Sequence, residues 1–174
     1  MSEEVLGQEL PLDEESLVGL VRDGLFMRRG AYVRRDVRHG TAYVRQGVEL
    51  PAGCDAVVSI GAFDGLHAGH RALIAAARRE ADERGLPCVV VTFDPDPDVL
   101  LVGEEPSTRL LATADRVRAI ESLGADAVVV LRFDEELEQT GYQDFVTQVL
   151  GGTVRPASIH VGTNFRVGAG GRGD

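Results

Sequence analysis

The chain lacks the features of a membrane protein and of a disulfide-stabilised secreted protein. No apolar run approaches the roughly 20 residues that span a bilayer. The acidic N-terminus, MSEEVLGQEL, has neither the basic start nor the apolar middle of a signal peptide. Only two cysteines are present, Cys54 and Cys88, and they do not form a C-x-x-C pair. We therefore expect a cytoplasmic protein with reduced thiols and no membrane association.

Positive charge is also scarce. The 18 lysines and arginines face 28 acidic residues, which gives a formal net charge of −10. Proteins that bind nucleic acids usually present a basic face, so the sequence argues against a nucleic-acid partner. With 174 residues, of which 44% are hydrophobic, the chain is long enough to bury the core of one domain.

The first 55 residues differ in pattern from the rest. LDEESLVGLVRDGL has apolar residues at helical spacing and predicts a short amphipathic helix. The repeated AYVR, at 31–34 and 42–45, flanks the turn-forming RHG and predicts a hairpin. We expect residues 1–55 to be a small α+β extension in which no chemistry is recognisable.

From residue 56 onward, apolar runs alternate with helical stretches. AVVSIG, PCVVVTF, DAVVVLRF and ASIHVG are the predicted strands. Strands that are apolar throughout indicate a parallel sheet lying between helices, an α/β fold. Such sheets bind ligands beyond the carboxyl ends of their strands. In the helix of ATADRVRAIESLG, Thr113 is the expected N-cap. Four charged residues of that helix are expected on an exposed face: Asp115, Arg116, Arg118 and Glu121.

The stretch SIGAFDGLHAGH, residues 59–70, carries two of the four histidines at the end of the first of these strands. If the next helix begins near residue 68, His67 and His70 lie on one side of its first turn. A helix N-terminus favours phosphate, imidazoles can donate hydrogen bonds to phosphoryl oxygens, and Gly65 and Gly69 leave room for a nucleotide. Two other interpretations stay open. One is a metal site, although no Cys, Asp or Glu lies at a spacing from the histidines that is typical of zinc ligands. The other is simple helix capping.

Five motifs, taken in order, resemble the FMN adenylyltransferase (FAD synthetase) domain of the bacterial bifunctional riboflavin kinase/FAD synthetases. They are GAFDGLHAGH, TFDPDP, LLATADRVRAIESLGAD, VVVLRFDEELEQTGYQDFV and VGTNFRVGAGGRGD. H-x-G-H alone marks the wider nucleotidyltransferase superfamily, whereas the ordered set singles out the flavin branch. The resemblance covers residues 56–174 and implies a Rossmann-like nucleotidyltransferase domain there.

The resemblance implies an enzyme that transfers the adenylyl group of ATP to FMN, giving FAD and pyrophosphate, with Mg²⁺ bound chiefly by the phosphates. The implied catalytic residues are His67 and His70. The implied ATP-binding residues are Gly61, Ala62, Phe63, His67, Gly69 and His70. The implied flavin-binding residues are Phe93, Pro95, Pro97 and Asn164, and no protein residue is expected as a metal ligand.

The chain departs from the family pattern at three positions and in one motif. Ala62 replaces the asparagine of GNFDG, Asp96 replaces the histidine of TFxPHP, and Val167 replaces an aromatic residue of NFxFG. No segment resembles the family's ISSTxIR and no riboflavin kinase domain follows, so the domain is expected to be truncated at its C-terminus. A second copy of the chain and a separate riboflavin kinase are candidate partners.

These departures keep two alternatives to FMN adenylyltransferase activity open. One is a non-catalytic remnant that still binds flavin or nucleotide. The other is a related nucleotidyltransferase that acts on a different phosphate ester.

Overall fold

A computed structural model describes residues 4–5, 32–94, 112–163 and 165. Its strands are β1 (Glu4–Val5), β2 (Tyr32–Val37), β3 (Gly40–Arg45), β4 (Cys54–Ile60), β5 (Cys88–Phe93), β6 (Ala127–Leu131) and β7 (Val154–Val161). Its helices are α1 (Ala68–Arg84), α2 (Thr113–Ser122), α3 (Glu135–Glu138) and α4 (Tyr142–Asp144), with a 3₁₀ turn at Asp64–Leu66 and a π-helical stretch at Phe145–Leu150 after α4. None of the helices in these described ranges is long and apolar enough to cross a membrane.

The strands form one sheet in the order β1-β2-β3-β6-β5-β4-β7. Strands β4, β5, β6 and β7 are parallel to their neighbours within this group. The chain runs from β4 outward to β5 and β6, and then returns to place β7 on the other side of β4. The order therefore reverses between β4 and β7, and in α/β sheets a crevice for ligands opens at such a reversal, beyond the carboxyl ends of the strands.

Helices cover both faces of the parallel strands, as the apolar runs predict. On one face, Val58 and Val89 pack in a core with Phe145 and Leu150 of the π-helical stretch. On the other face, Val90 packs with Ile74 of α1 and Ile120 of α2. Because side chains alternate along a strand, a strand buried on both faces must be apolar at nearly every position.

β2 and β3, which contain the repeated YVR triplets, form a hairpin that belongs to the same sheet. β2 and β3 pair antiparallel, and β3 also pairs antiparallel with β6 through Gly40↔Leu131 and Val44↔Ala127. The sheet thus continues across residue 55, where we expect one domain to end. That division stays a prediction, and the short helix expected before the hairpin lies outside the described residues.

The hairpin is also tied to α1 through Asp126, which directly precedes β6 and is 6% exposed. Its carboxylate accepts hydrogen bonds from Arg45 of β3, from Arg78 of α1 at 2.6 Å, and from the backbone N–H of Cys88 at 2.8 Å. A buried carboxylate with three donors is well satisfied. Asp126 therefore joins three elements at the amino ends of the parallel strands.

The prediction that four charged residues of α2 are exposed is wrong for two of them. Asp115 is 4% exposed and Arg116 is fully buried, while α2 begins at Thr113 and Ala112 takes the N-cap position instead of Thr113. Burial also raises the pKa of Glu121 to about 8. The reason is that α2 packs closely on the sheet, where the guanidinium of Arg116 donates to the carbonyls of Ala62 and Phe93.

The raised pKa of Glu121 makes stability depend on pH. The folded chain keeps a proton that an unfolded glutamate releases near pH 4.3, so the free energy of unfolding should decrease as pH rises from about 4 to about 8. Glu121→Gln should flatten this decrease, and Glu136→Gln on exposed α3 should leave it unchanged. Urea titrations across this pH range measure the slope. Equal slopes for wild type and Glu121→Gln would contradict the assignment.

A second prediction concerns the contact between the hairpin and β6. A Cβ atom added at Gly40 would lie 2.0 Å from the carbonyl oxygen of Val130, whereas one added at Gly47 meets nothing within 4 Å. Gly40→Ala should therefore destabilise the protein by about 1–3 kcal/mol or more through overpacking and increase amide exchange in β3.

Gly47→Ala is the control for that measurement. Gly47 has a φ of +85°, so its replacement should cause only the backbone strain of a left-handed residue, about 1–2 kcal/mol. In the Gly47→Ala variant, the amides of β3 should keep their protection against hydrogen exchange. If both variants lost protection equally, the proposed clash would not be the cause.

Candidate active site

The carboxyl end of β4 runs into a tightly bent loop that precedes α1. Gly61 donates its backbone N–H to the carbonyl of Val91 at 3.1 Å. Phe63 and Leu66 then adopt φ values of +53° and +42°, a left-handed conformation that is uncommon for large residues, and both side chains are fully buried. Non-glycine residues held in this region often occur at functional sites.

Aromatic rings approach Gly61 and Gly69 closely. A Cβ atom at Gly61 would lie 3.1–3.3 Å from the ring of Phe63, and one at Gly69 would lie 3.2 Å from the ring of His67. Larger residues at these two positions would push the rings away. The glycines of the motif therefore set where its aromatic side chains lie.

The two histidines of the H-x-G-H motif stack on each other at the start of α1. Their ring centroids are 3.6 Å apart with an interplanar angle of 23°. His67 is exposed, while His70 is half-buried and meets the ring of Phe63 edge-on at 5.3 Å. The predicted placement on one side of the first turn is confirmed.

This geometry bears on the two alternatives for the histidines. His67 occupies the N-cap position of α1, but its side chain makes no capping hydrogen bond, so simple capping does not explain it. Within residues 32–94 and 112–163, no group of three or more His, Cys, Asp or Glu side chains could hold a metal ion. The pair lies beside the N-terminus of a 17-residue helix, whose free N–H groups and dipole favour an anion.

The protonation of His70 is set by its surroundings. Burial lowers the pKa of His70 most, a charge on His67 lowers it further, and Asp64 opposes both. Its Nδ1 atom is buried and has no hydrogen-bond partner among the described residues. An anionic phosphate placed against this ring would favour the charged imidazolium and raise the pKa again.

Behind the loop, the carbonyl of Ala62 accepts two hydrogen bonds. One comes from Arg116 Nη1 at 2.7 Å and the other from Thr92 Oγ1 at 2.8 Å. Arg116 Nη2 also donates to the carbonyl of Phe93 at 2.8 Å, at the end of β5. Sequence reasoning missed Arg116, although it is one helical turn from the buried Ala119 and Ile120 and thus on the apolar face of α2.

Of the four residues predicted to bind flavin, the structure describes only Phe93. Phe93 is 3% exposed and packs edge-to-face on Phe133 at 5.9 Å, in the core. Its role beside a flavin stays a prediction. Pro95, Pro97 and Asn164 lie outside the described residues.

The strand order, the reversal between β4 and β7, and the paired histidines at that edge define a Rossmann-like domain of the nucleotidyltransferase type. Residues 51–174 match the model of the FAD synthetase family. The chain belongs to that family.

Proteins of similar sequence support this family assignment. The chain is 37% identical over 122 residues to the bifunctional riboflavin kinase/FMN adenylyltransferase of Escherichia coli K12, an alignment that covers 70% of this chain and 38% of that protein. It is 34% identical over 119 residues to the protein of the same name from Bacillus subtilis 168, covering 67% and 37%. The chain thus spans less than half the length of these relatives.

A solved structure also has this fold. A Streptococcus pneumoniae protein described as a macrolide-efflux protein superposes with a TM-score of 0.61 at 27% sequence identity. The superposition covers 72% of this chain and 41% of that chain.

The paired rings give a prediction for the pKa of His70. NMR titration should find it below the ordinary histidine value of about 6.5. His67→Ala should raise it only part of the way, because burial, the larger cause, remains. Addition of inorganic triphosphate should raise it in the wild type.

His39, on the hairpin turn, provides the control for this titration. His39→Asn retains a residue type that tolerates the left-handed φ of +65° found there, and it should leave the His70 titration unchanged. A wild-type His70 that titrates at or above about 6.5 would contradict the burial of this ring.

Proposed function

We propose that this chain transfers the adenylyl group of ATP to the phosphate of FMN, which yields FAD and pyrophosphate. The stacked His67–His70 pair at the N-terminus of α1, in a chain of the FAD synthetase family, is the observation that carries the proposal. The names of the Escherichia coli and Bacillus subtilis relatives support FMN as the acceptor.

The reaction joins a phosphate oxygen of FMN to the α-phosphorus of ATP. The bond from that phosphorus to the oxygen bridging to the β-phosphate breaks, and pyrophosphate leaves with the electron pair. The FMN phosphate is largely dianionic near pH 7, because its second pKa is about 6. No strong base and no protein nucleophile are required, so catalysis consists of alignment and charge stabilisation.

The described residues can supply both effects. The exposed His67 ring and the N–H groups of the first turn of α1 would bind the outer phosphates. The half-buried His70 would donate to the α-phosphate, where negative charge develops in the transition state. The backbone of Gly61, Ala62 and Phe63, at the end of β4, would border the nucleotide.

Mg²⁺ would accompany ATP and be held mainly by phosphate oxygens, where it would neutralise charge on the transferred group. Such an ion needs only one or two carboxylates from the protein. Asp64, between β4 and α1, and Asp94, directly after β5, follow adjacent strands at the substrate edge of the sheet. The sequence alone predicts no protein ligand, but we propose Asp64 and Asp94 as the carboxylates that would hold this ion.

Cytoplasmic location, self-association and a separate riboflavin kinase stay predictions. FMN is the product expected of a kinase that phosphorylates riboflavin, so such an enzyme would supply the substrate. Size-exclusion chromatography of the chain, with and without FMN, tests self-association.

The decisive experiment incubates the chain with ATP, Mg²⁺ and FMN and measures FAD and pyrophosphate. His70→Ala should lower kcat roughly 10²–10³-fold, the usual effect of removing one donor to a developing charge. His67→Ala should also lower activity, with a larger effect on the KM for ATP. His39→Asn, on the hairpin turn and outside the residues assigned to the site, should retain wild-type kcat.

Other outcomes separate the alternatives. Tight binding of FMN or ATP by calorimetry without any product would indicate a non-catalytic binding domain and overturn the proposal. Product formation only with another phosphorylated acceptor, in a screen of nucleoside triphosphates and phosphate esters, would assign a related nucleotidyltransferase.

A further inference from the structure

We propose that Arg116 is a positioning residue for adenylyl transfer, which holds the loop after β4 in the conformation that seats the histidine pair. The inference rests on the proposed function. It concerns a residue that lies 46 positions after His70 in the sequence and would not contact a substrate itself.

The first argument is burial. Arg116 has 0% of its surface exposed, so a substrate in the crevice cannot reach its guanidinium. Burying a charged group is unfavourable unless it is hydrogen-bonded, and Arg116 is bonded to two backbone carbonyls, those of Ala62 and Phe93. These carbonyls lie at the carboxyl ends of two adjacent strands, which is the edge that binds ligands.

The second argument is that Arg116 fixes two peptide planes. The Ala62 carbonyl accepts from both Arg116 and Thr92, which uses both of its lone pairs. The peptide after Phe93 is held from both sides, since its carbonyl accepts from Arg116 and its N–H, on Asp94, donates to Leu131 at 2.9 Å. The ends of β4, β5 and β6 are thereby connected.

The third argument is the direction of the next N–H group. In a trans peptide the carbonyl and the following N–H point in opposite directions. Because the Ala62 carbonyl points towards Arg116, the N–H of Phe63 points away from it. The Phe63 ring then packs on Gly61 and meets His70 edge-on. Arg116 therefore acts on His70 through the Ala62–Phe63 peptide and the Phe63 ring.

The shape of the guanidinium explains why arginine is needed here. Its two terminal nitrogens form a rigid fork that reaches both carbonyls at once, whereas the ammonium of lysine is a point charge on a flexible stem. Arg116→Lys retains the charge and most of the volume but loses the fork. Arg116→Met also removes the charge.

The test compares Arg116→Lys and Arg116→Met with Arg118→Lys and Arg118→Met. Arg118 lies on the same helix and is half-exposed. We expect Arg116→Lys to lower kcat by roughly 10²-fold, the effect of a misplacement of about 1 Å, with a much smaller change in the KM for ATP. The Arg118 variants should keep wild-type kcat.

A second readout needs no activity. In the free protein, Arg116→Lys should shift the imidazole NMR resonances of His70 and raise the pKa of His70, because the loop that buries the His70 ring is loosened. Thr92→Val removes the other hydrogen bond to the Ala62 carbonyl and should shift the same resonances in the same direction. This variant replaces the Arg116 variants in the experiment if they do not fold. Far-ultraviolet circular dichroism monitors folding.

The outcomes are distinguishable from failure of the proposed function. If wild type makes no FAD, the proposed function fails, and the His70 resonances alone then decide whether Arg116 positions this ring. Wild-type kcat and an unchanged His70 titration in Arg116→Lys would overturn the inference. A loss of kcat without any change at His70 would also overturn it, because the route through Phe63 would be absent.

Discussion

The hydrogen bonds from Arg116 to the carbonyls of Ala62 and Phe93 are the interaction on which the edge of the sheet depends. Parallel strands end in loops whose carbonyls are no longer paired by the sheet, and buried carbonyls need other donors. One guanidinium supplies donors to two such loops. The cation also lies behind the loop that leads to the histidine pair, in buried surroundings where electrostatic interactions are weakly screened.

Polar side chains lie at both ends of the parallel strands, and they differ in kind. At the amino ends of the strands, the carboxylate of Asp126 accepts hydrogen bonds from Arg45 and Arg78. At the carboxyl ends, His70 keeps a buried ring nitrogen without a described partner, next to a helix N-terminus. A polar group left unsatisfied in this way is unfavourable for folding.

Much of this arrangement follows from local sequence patterns. The all-apolar strands predict the parallel sheet, and the spacing of His67 and His70 predicts that they lie on one side of the first turn of α1. Features that depend on distant partners were not predictable. The helical spacing of Arg116 from Ala119 and Ile120 places it on the apolar face of α2, but the carbonyls that it bonds lie 54 and 23 residues away. The attachment of β3 to β6 requires a register that no short pattern encodes.

The hairpin protects β6 from unwanted pairing. β3 occupies one side of β6 over five residue pairs, from Gly40↔Leu131 to Val44↔Ala127, while β5 occupies the other. The family match begins only at residue 51, so a shortened chain cut there would bare the backbone of Ala127–Leu131. An uncovered apolar strand of this kind is a template for aggregation, so a chain shortened to begin at residue 51 should be poorly soluble.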